Sequence, residues 1–137
     1  MRIELKNVKR SEFASHGTVC FEASLYVDGK RVGGVSNDGQ GGCNVYRLLS
    51  GGYQAVKALE ERARAHTGEE FEPLDQMVAE ALDAWEMAKQ LRKWRKGKTV
   101  FRLEGDPEEA FRLLRGDHVA ALKARYKDKI AEIYPPL

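Results

Sequence analysis

The chain has 137 residues, a length that fits one folded domain with a core that needs no metal or disulfide for stability. Hydrophobic residues make up 42% and charged residues 32%, as in ordinary globular proteins, and a net charge of +2 excludes a global field that would draw the whole surface onto nucleic acid. No apolar run approaches the roughly 20 residues that cross a bilayer, and the first residues lack a signal-peptide core. The two cysteines, Cys20 and Cys43, form no disulfide framework. We therefore expect a cytoplasmic protein with reduced thiols.

The first third of the chain has the period of β-strands. Residues 1–6 alternate apolar and charged side chains, and the alternation returns from Thr18 to Val27. Asp28-Gly29 follows at once and predicts a two-residue type I′ hairpin. If Val27 faces Lys30, Val35 points away from the apolar face. We therefore expect an extra residue, a β-bulge, at 33–34, where the chain has two glycines.

The rest of the chain predicts mainly helices. One is expected from about residue 50 to Gly68 and a longer one from about Leu74 to Lys96, closed by Gly97. Residues 99–104 predict a strand. The run from Asp106 to Glu109 predicts a helix start, with the helix ending near residue 115, and Asp117 is expected to cap another helix to about residue 127. Residues 129–134 favour a strand over a helical extension.

These elements together predict an α+β fold. We expect one domain over residues 1–137, an antiparallel sheet of about four or five strands with helices packed on one face.

The segment Ser36–Arg47, which we call the glycine loop, is the one stretch whose composition local folding does not explain. Three glycines permit positive φ angles and close approach of a partner, and the Asn, Asp and Ser side chains can hold an ordered turn. Successive amides around residues 39–42 would suit phosphate or carboxylate. The loop has neither a P-loop nor a dinucleotide-binding pattern. A tight turn that only reverses the chain is the alternative.

Catalytic and metal-binding patterns are not found. Cys43 lies on the glycine loop and His16 lies in the connection before the second strand, so a thiol-dependent enzyme is a weaker hypothesis. His66 and His118 are expected at the surface, and three scattered histidines with two separated cysteines give no metal spacing. The acidic pairs are explained by helix starts and exposed helical faces. We expect no catalytic residue, no metal and no cofactor.

A basic cluster marks the end of the long helix. Six lysines and arginines fall between residues 89 and 98 with no acid among them, and Trp94 lies within the cluster. This composition suits phosphate contacts with base stacking, or an acidic protein surface with Trp94 as an anchor. A solvated helix end is the structural alternative. Residues 60–86 carry nine acids, so the surface is expected to be bipolar, which favours docking on a structured partner.

The hairpin and the glycine loop resemble a pattern in small uncharacterised proteins of phages and prophages. In those proteins a D-G-[KR] hairpin leads into S-N-[DE]-G-x-G-G-x-x-x-Y, which this chain matches from Asp28 to Tyr46. The stretch 98–107 is similar to their later part. The resemblance implies a phage context, hence the host cytoplasm, and a stoichiometric action on host machinery.

The leading hypothesis is a non-enzymatic binding protein of phage type. It would dock on a larger host partner, such as RNA polymerase or a defence complex, and inhibit or otherwise modulate it. Alternatives are sequestration of a nucleotide or other anionic small molecule at the glycine loop, a Cys43-dependent enzyme, and weak direct binding of nucleic acid. The expected contact residues are Asn37, Asp38, Gly39, Gly41, Gly42, Asn44 and Tyr46 in the loop, and Arg92, Lys93, Trp94, Arg95 and Lys96 at the basic end.

Overall fold

The computed structural model describes residues 1–137 and confirms the α+β class, with seven strands and three α-helices. The chain folds as two compact units, Met1–Trp85 and Glu86–Leu137. The elements are β1 (Ile3–Ser11), β2 (Cys20–Val27), β3 (Lys30–Asn37), β4 (Val45–Leu48), α1 (Gly52–Thr67), α2 (Pro73–Trp94), β5 (Lys98–Leu103), β6 (Arg112–Arg115), α3 (Val119–Tyr126) and β7 (Ile130–Tyr134). None of the helices has the length and apolar character needed to cross a membrane.

The first unit is built on a four-stranded antiparallel sheet in the order β1-β2-β3-β4. Alternate residues of the strands pack against apolar residues of α1 and of α2, and this forms the core of the unit. The predicted hairpin is confirmed, because Asp28 and Gly29 have φ angles of 51° and 81°, as a type I′ turn requires. The most deeply buried core residues are Leu25, Ala63, Leu74 and Val78.

The predicted bulge is present, but one residue earlier than expected. Arg31 pairs with Tyr26 and Gly33 pairs with Leu25, so Val32 is the extra residue and Val35 returns to the buried face. Gly33 is required for a different reason. A Cβ atom there would overlap the carbonyl oxygen of Arg47 and lie 2.7 Å from the Cα of Leu48 on β4. The backbone of β4 thus lies directly against this glycine.

The sequence does not predict β4 as a strand. Residues 45–47 fall within the glycine loop as the sequence defines it, whereas the structure pairs Ser36 with Val45 and Gly33 with Leu48. A four-residue edge strand has too few alternating positions to be recognised, and its partner is specified only by the tertiary fold. The irregular part of the glycine loop is therefore shorter, from Asp38 to Asn44.

The second unit contains a three-stranded antiparallel sheet in the order β6-β5-β7. The prediction of a helix from residue 106 to residue 115 is wrong. Asp106 lies in the turn after β5, where its carboxylate accepts hydrogen bonds from Leu103 N–H and from the Arg112 guanidinium (2.9 Å for both nitrogens). These bonds close a hairpin in place of a helix, because pairing of Leu113 with the buried Val100 outweighs local propensity.

The ends of the second unit agree better with the sequence. β7 confirms the strand predicted over residues 129–134, and α3 lies within the predicted helix. The N-cap is His118 rather than Asp117, although Asp117 does accept a hydrogen bond from Val119 N–H (3.1 Å). The hydroxyl of the buried Thr99 on β5 accepts from His118 N–H (2.8 Å) and donates to the Gly116 carbonyl (2.7 Å). These bonds tie the start of α3 to the sheet.

Candidate functional site

Asn37 organises the glycine loop. Its side chain is buried at the end of β3 (6% exposed), and its amide oxygen and amide nitrogen each make two hydrogen bonds. The amide oxygen accepts from Thr18 Oγ1 (2.6 Å) and Gly39 N–H (2.8 Å), and the amide nitrogen donates to the Gly42 carbonyl (3.0 Å) and Asn44 Oδ1 (3.1 Å). These four bonds exhaust the capacity of an asparagine amide. The loop is therefore held from inside by one residue.

The remaining amides of the loop do not form the anion-binding nest that the sequence suggested. Besides Gly39, the N–H groups of Gln40, Gly41 and Asn44 donate to Asp38 Oδ1, Thr18 Oγ1 and Asp75 Oδ2. Two neighbouring amides, those of Gly42 and Cys43, are exposed and donate to no acceptor within the chain. The Asp75 carboxylate, 3.1 Å from Asn44 N, already occupies this amide and disfavours a second negative charge beside it.

Glycine at residues 39 and 41 is explained by the backbone. Gly39 has φ of 80°, and a Cβ atom there would overlap the Ala14 carbonyl oxygen and lie 2.9 Å from Cys20 Cβ. Gly41 has φ of 90° but open space around it. The connection before β2 lies against the loop at this point, where His16 N–H donates to the Gly39 carbonyl (2.6 Å). Gly39 thus serves packing, and Gly41 leaves the backbone accessible.

Tyr46 connects the loop to α2. Its hydroxyl donates to Asp75 Oδ1 (2.6 Å) and accepts from Asn44 Nδ2 (3.3 Å), while Asn44 N–H donates to the second oxygen of Asp75. Burial, reinforced by the hydrogen bond to the Asp75 carboxylate, raises the pKa of the Tyr46 phenol well above its usual value. Burial also raises the pKa of Glu60, although the hydrogen bond from Leu74 N–H opposes the shift. Tyr46 and Asn44 are thus structural ties and not free contact groups.

A groove of about 360 Å³, which we call the loop groove, lies between the glycine loop and α2 within the first unit. Its floor is apolar and includes Phe21, Val78 and Leu82, all of which are buried. The rim carries the exposed residues 41–43 on one side and carboxylates of α2 on the other. A volume above 300 Å³ lies in the range of ligand-binding sites.

Cys43 is exposed on the rim of this groove, and Cys20 is half-buried beneath the loop. No hydrogen bond joins Cys43 to His16. His66 and His118 are bonded elsewhere, to the amino-terminal nitrogen and to the Arg115 carbonyl. No group of three or more His, Cys, Asp or Glu is arranged to hold a metal ion.

The basic cluster of the second unit divides into two sets. Trp94 packs at 5.8 Å from Phe111, and the Arg95 guanidinium donates to the Pro135 carbonyl (2.8 Å) beside the Tyr134 ring. These two predicted contact residues are therefore used inside the unit. Of the other five cations, Lys98 begins β5, and four recur at positions i, i+3, i+4 and i+7. These four define what we call the basic stripe, which consists of Lys89, Arg92, Lys93 and Lys96.

The basic stripe lies on an open concavity of about 840 Å³, whose rim also includes Leu137, an exposed apolar residue. All four cations are exposed. Glu86 also lines this concavity, and no further acidic residue follows it in the sequence until Glu104. The expected bipolar charge is visible in the composition of the two units. Residues 1–85 carry 10 basic and 13 acidic residues, a net charge of −3, and residues 86–137 carry 13 basic and 8 acidic residues, a net charge of +5.

Several residues that build the site were not recognised from the sequence. Thr18 and Asp75 bond to the loop from 19 and 31 residues away, and no local pattern distinguishes them from other polar residues. The preference of asparagine for turns did indicate Asn37, although as a contact residue and not as a buried one. The density of lysines and arginines with no acid among them indicated the basic end, but only the structure separates the basic stripe from Trp94 and Arg95.

Comparisons with protein-family models, with curated proteins and with solved structures find no match to this chain. The structure itself therefore gives the description of the molecule: an α+β protein whose glycine loop is held by hydrogen bonds within the chain and whose long helix ends in a basic stripe.

Proposed function

We propose that this is a non-enzymatic binding protein that docks on an acidic surface of a larger partner through the basic stripe. The observation that carries the proposal is the alignment at one open concavity of three exposed cations on α2 and of Lys96, two residues after the helix ends. A helix C-terminus attracts cations through its dipole, but this effect is confined to the last turn. Lys89 lies more than one turn before the end of α2 at Trp94, so the dipole does not account for the whole stripe.

The electrostatics of such a contact favour recognition more than raw affinity. An exposed ion pair contributes about 0.2–1 kcal/mol, so four cations against an acidic surface contribute about 1–4 kcal/mol. The same charges accelerate association and fix orientation. An open concavity rimmed by long side chains and one apolar residue suits a protein surface better than a small molecule.

The partner we propose is a large assembly of the nucleic-acid or defence machinery of a phage host, such as RNA polymerase. The support is the resemblance of Asp28–Tyr46 to the phage pattern, together with the opposite charges of the two units. Assemblies of this type combine acidic protein surfaces with bound nucleic acid. A small protein that occupies such a surface modulates the assembly without chemistry of its own, and we expect the effect to be inhibition in the host cytoplasm.

The test compares two triple charge reversals in the second unit. Arg92→Glu, Lys93→Glu and Lys96→Glu remove the exposed cations of the stripe, whereas Lys123→Glu, Arg125→Glu and Lys129→Glu change the net charge equally at exposed residues around α3. Affinity purification from the native host, with mass spectrometry, should recover the same partner with the wild type and the second variant. The first variant should lose it.

Retention of every partner by the first variant would exclude the basic stripe as the contact. Equal loss by both variants would show that total charge, and not this surface, decides binding. With the partner purified, the activity of the assembly should fall in proportion to the protein added and saturate at a fixed stoichiometry, since binding and not turnover produces the effect.

A further inference from the structure

The loop groove of the first unit carries one sign of charge. The residues that line it include the acids Glu72, Asp75 and Asp83, and none is a lysine, arginine or histidine. Glu72 and Asp83 are exposed, and Asp75 is held in place by Tyr46 and Asn44. The groove therefore combines a buried apolar floor with a fixed carboxylate and two exposed ones.

The spacing of these carboxylates selects an extended organic cation over a metal ion. Asp75 and Asp83 are eight residues apart on α2, which corresponds to about 12 Å along the axis. Metal–oxygen bonds are about 2–2.6 Å long, so the two cannot share one ion. A lysine or arginine side chain has the complementary form, because its aliphatic stem packs on apolar surface while its charged end stays at the polar rim.

The opposite rim of the groove offers main-chain donors. Gly42 and Cys43 are exposed residues whose N–H groups have no acceptor in the chain, and nothing lies within 4 Å of where a Cβ of Gly42 would be. An extended polypeptide in the groove would present carbonyl oxygens to these two donors while its side chains reach the floor and the carboxylates. A free amine would leave the donors unused.

We propose that the loop groove binds a basic side chain of a partner polypeptide, with its stem on the apolar lining residues Val19, Phe21 and Ala79 and its cation at the carboxylates of α2. The site lies wholly within residues 1–85 and differs in charge from the basic stripe, so it goes beyond the function proposed above and can fail or hold independently of it.

The experiment is a titration of the ¹⁵N-labelled protein with short capped peptides, followed by two-dimensional NMR. The probe is acetyl-Ala-Arg-Ala-amide, and the matched probe replaces arginine by citrulline, which has nearly the same shape without the charge. The arginine peptide should shift the amide signals of Gly42, Cys43 and Asp83 saturably. We expect the citrulline peptide and n-butylguanidine, a singly charged guanidinium on a four-carbon stem, each to bind at least about threefold more weakly.

Two variants of α2 locate the site. Asp83→Asn should weaken the arginine peptide about threefold, since one charge pair is lost, whereas Glu80→Gln, an equally exposed acid of the same helix outside the groove, should leave the affinity unchanged. Both residues are exposed, so the folded spectrum should persist in each variant.

The proposal is overturned by any of three results: no saturable shift at the groove, equal binding of the arginine and citrulline peptides, or equal weakening by Asp83→Asn and Glu80→Gln. Binding of n-butylguanidine as tightly as the peptide would also overturn it, since the main-chain donors would then contribute nothing. None of these results bears on the basic stripe, whose test uses other residues and another partner.

Discussion

Replacing Asn37 by alanine tests whether one buried side chain holds the glycine loop. The substitution removes four hydrogen bonds, which link Asn37 to Thr18, Gly39, Gly42 and Asn44. Each neutral hydrogen bond contributes about 0.5–1.5 kcal/mol net, and bonds that share one side chain are not additive. We expect the free energy of unfolding of the first unit to fall by about 2–4 kcal/mol.

The assay is native-state amide hydrogen exchange, because it reports each unit separately. Opening free energies of core amides such as Leu25 and Val35 measure the first unit, and those of Val100 serve as the internal reference in the second. Asp38→Ala is the control in the same loop. The exposed carboxylate of Asp38 accepts one hydrogen bond, from Gln40 N–H (3.1 Å), so Asp38→Ala should lower the free energy of unfolding by less than about 1 kcal/mol.

Asn37→Asp adds a pH-dependent readout. The aspartate keeps both acceptor bonds but places carboxylate oxygen against the Gly42 carbonyl and Asn44 Oδ1, so burial and repulsion raise its folded pKa above the unfolded value. The raised pKa destabilises the variant at neutral pH. The difference in unfolding free energy between the variant and the wild type should shrink as the pH falls toward the pKa of the unfolded state. A loss below about 0.5 kcal/mol in Asn37→Ala would refute the assignment of Asn37 as the organiser of the loop.

Three further predictions follow from single contacts. Gly33→Ala should lower the free energy of unfolding by more than about 2 kcal/mol and weaken β3–β4 pairing in NMR spectra, because its Cβ would lie 2.7 Å from Leu48 Cα. Gly34→Ala, whose Cβ would have its nearest neighbour at 3.5 Å, should lower it by less than about 1 kcal/mol. Equal losses in the two variants would contradict the close approach of β4. Tyr46→Phe should lower the free energy of unfolding by about 1–3 kcal/mol, because it leaves the Asp75 carboxylate short of a donor. Since the pKa of Tyr46 is raised in the folded state, the stability that its hydroxyl confers should be lost above about pH 10 in the wild type and not in the variant. Urea unfolding as a function of pH measures both effects. The hydrogen bonds from Arg112 and from Leu103 N–H lower the pKa of Asp106 from 3.8 to about 2, so its contribution to the stability of the second unit is present above about pH 4 and is lost as the pH falls toward 2. Asp106→Asn should remove this acid-dependent loss of stability, as measured by hydrogen exchange in the second unit. If the loss persists in the variant, it belongs to other carboxylates.

Local chemistry in the sequence determined much of the architecture. Alternation and Asp28-Gly29 specified the β2–β3 hairpin, because a type I′ turn needs positive φ at both residues and a half-buried strand needs a period of two. Helical spacing and Gly68 fixed α1, and the density of lysines and arginines with no acid among them indicated the basic end of α2. These signals depend on residues only a few positions apart, so they are visible without the fold.

Tertiary structure alone decided the features that depend on distant partners. The hairpin of β5 and β6 replaced an expected helix because residues 112–115 pair with residues 98–101, up to 17 residues earlier in the chain. Tyr46 and Asp75, 29 residues apart, meet only after α2 packs on the sheet, and their bond turned a predicted contact residue into a structural tie. The loop groove likewise exists only where α2 faces residues 41–43. Contacts between residues so far apart in the chain leave no periodic signal, because each is specified by packing and not by its neighbours.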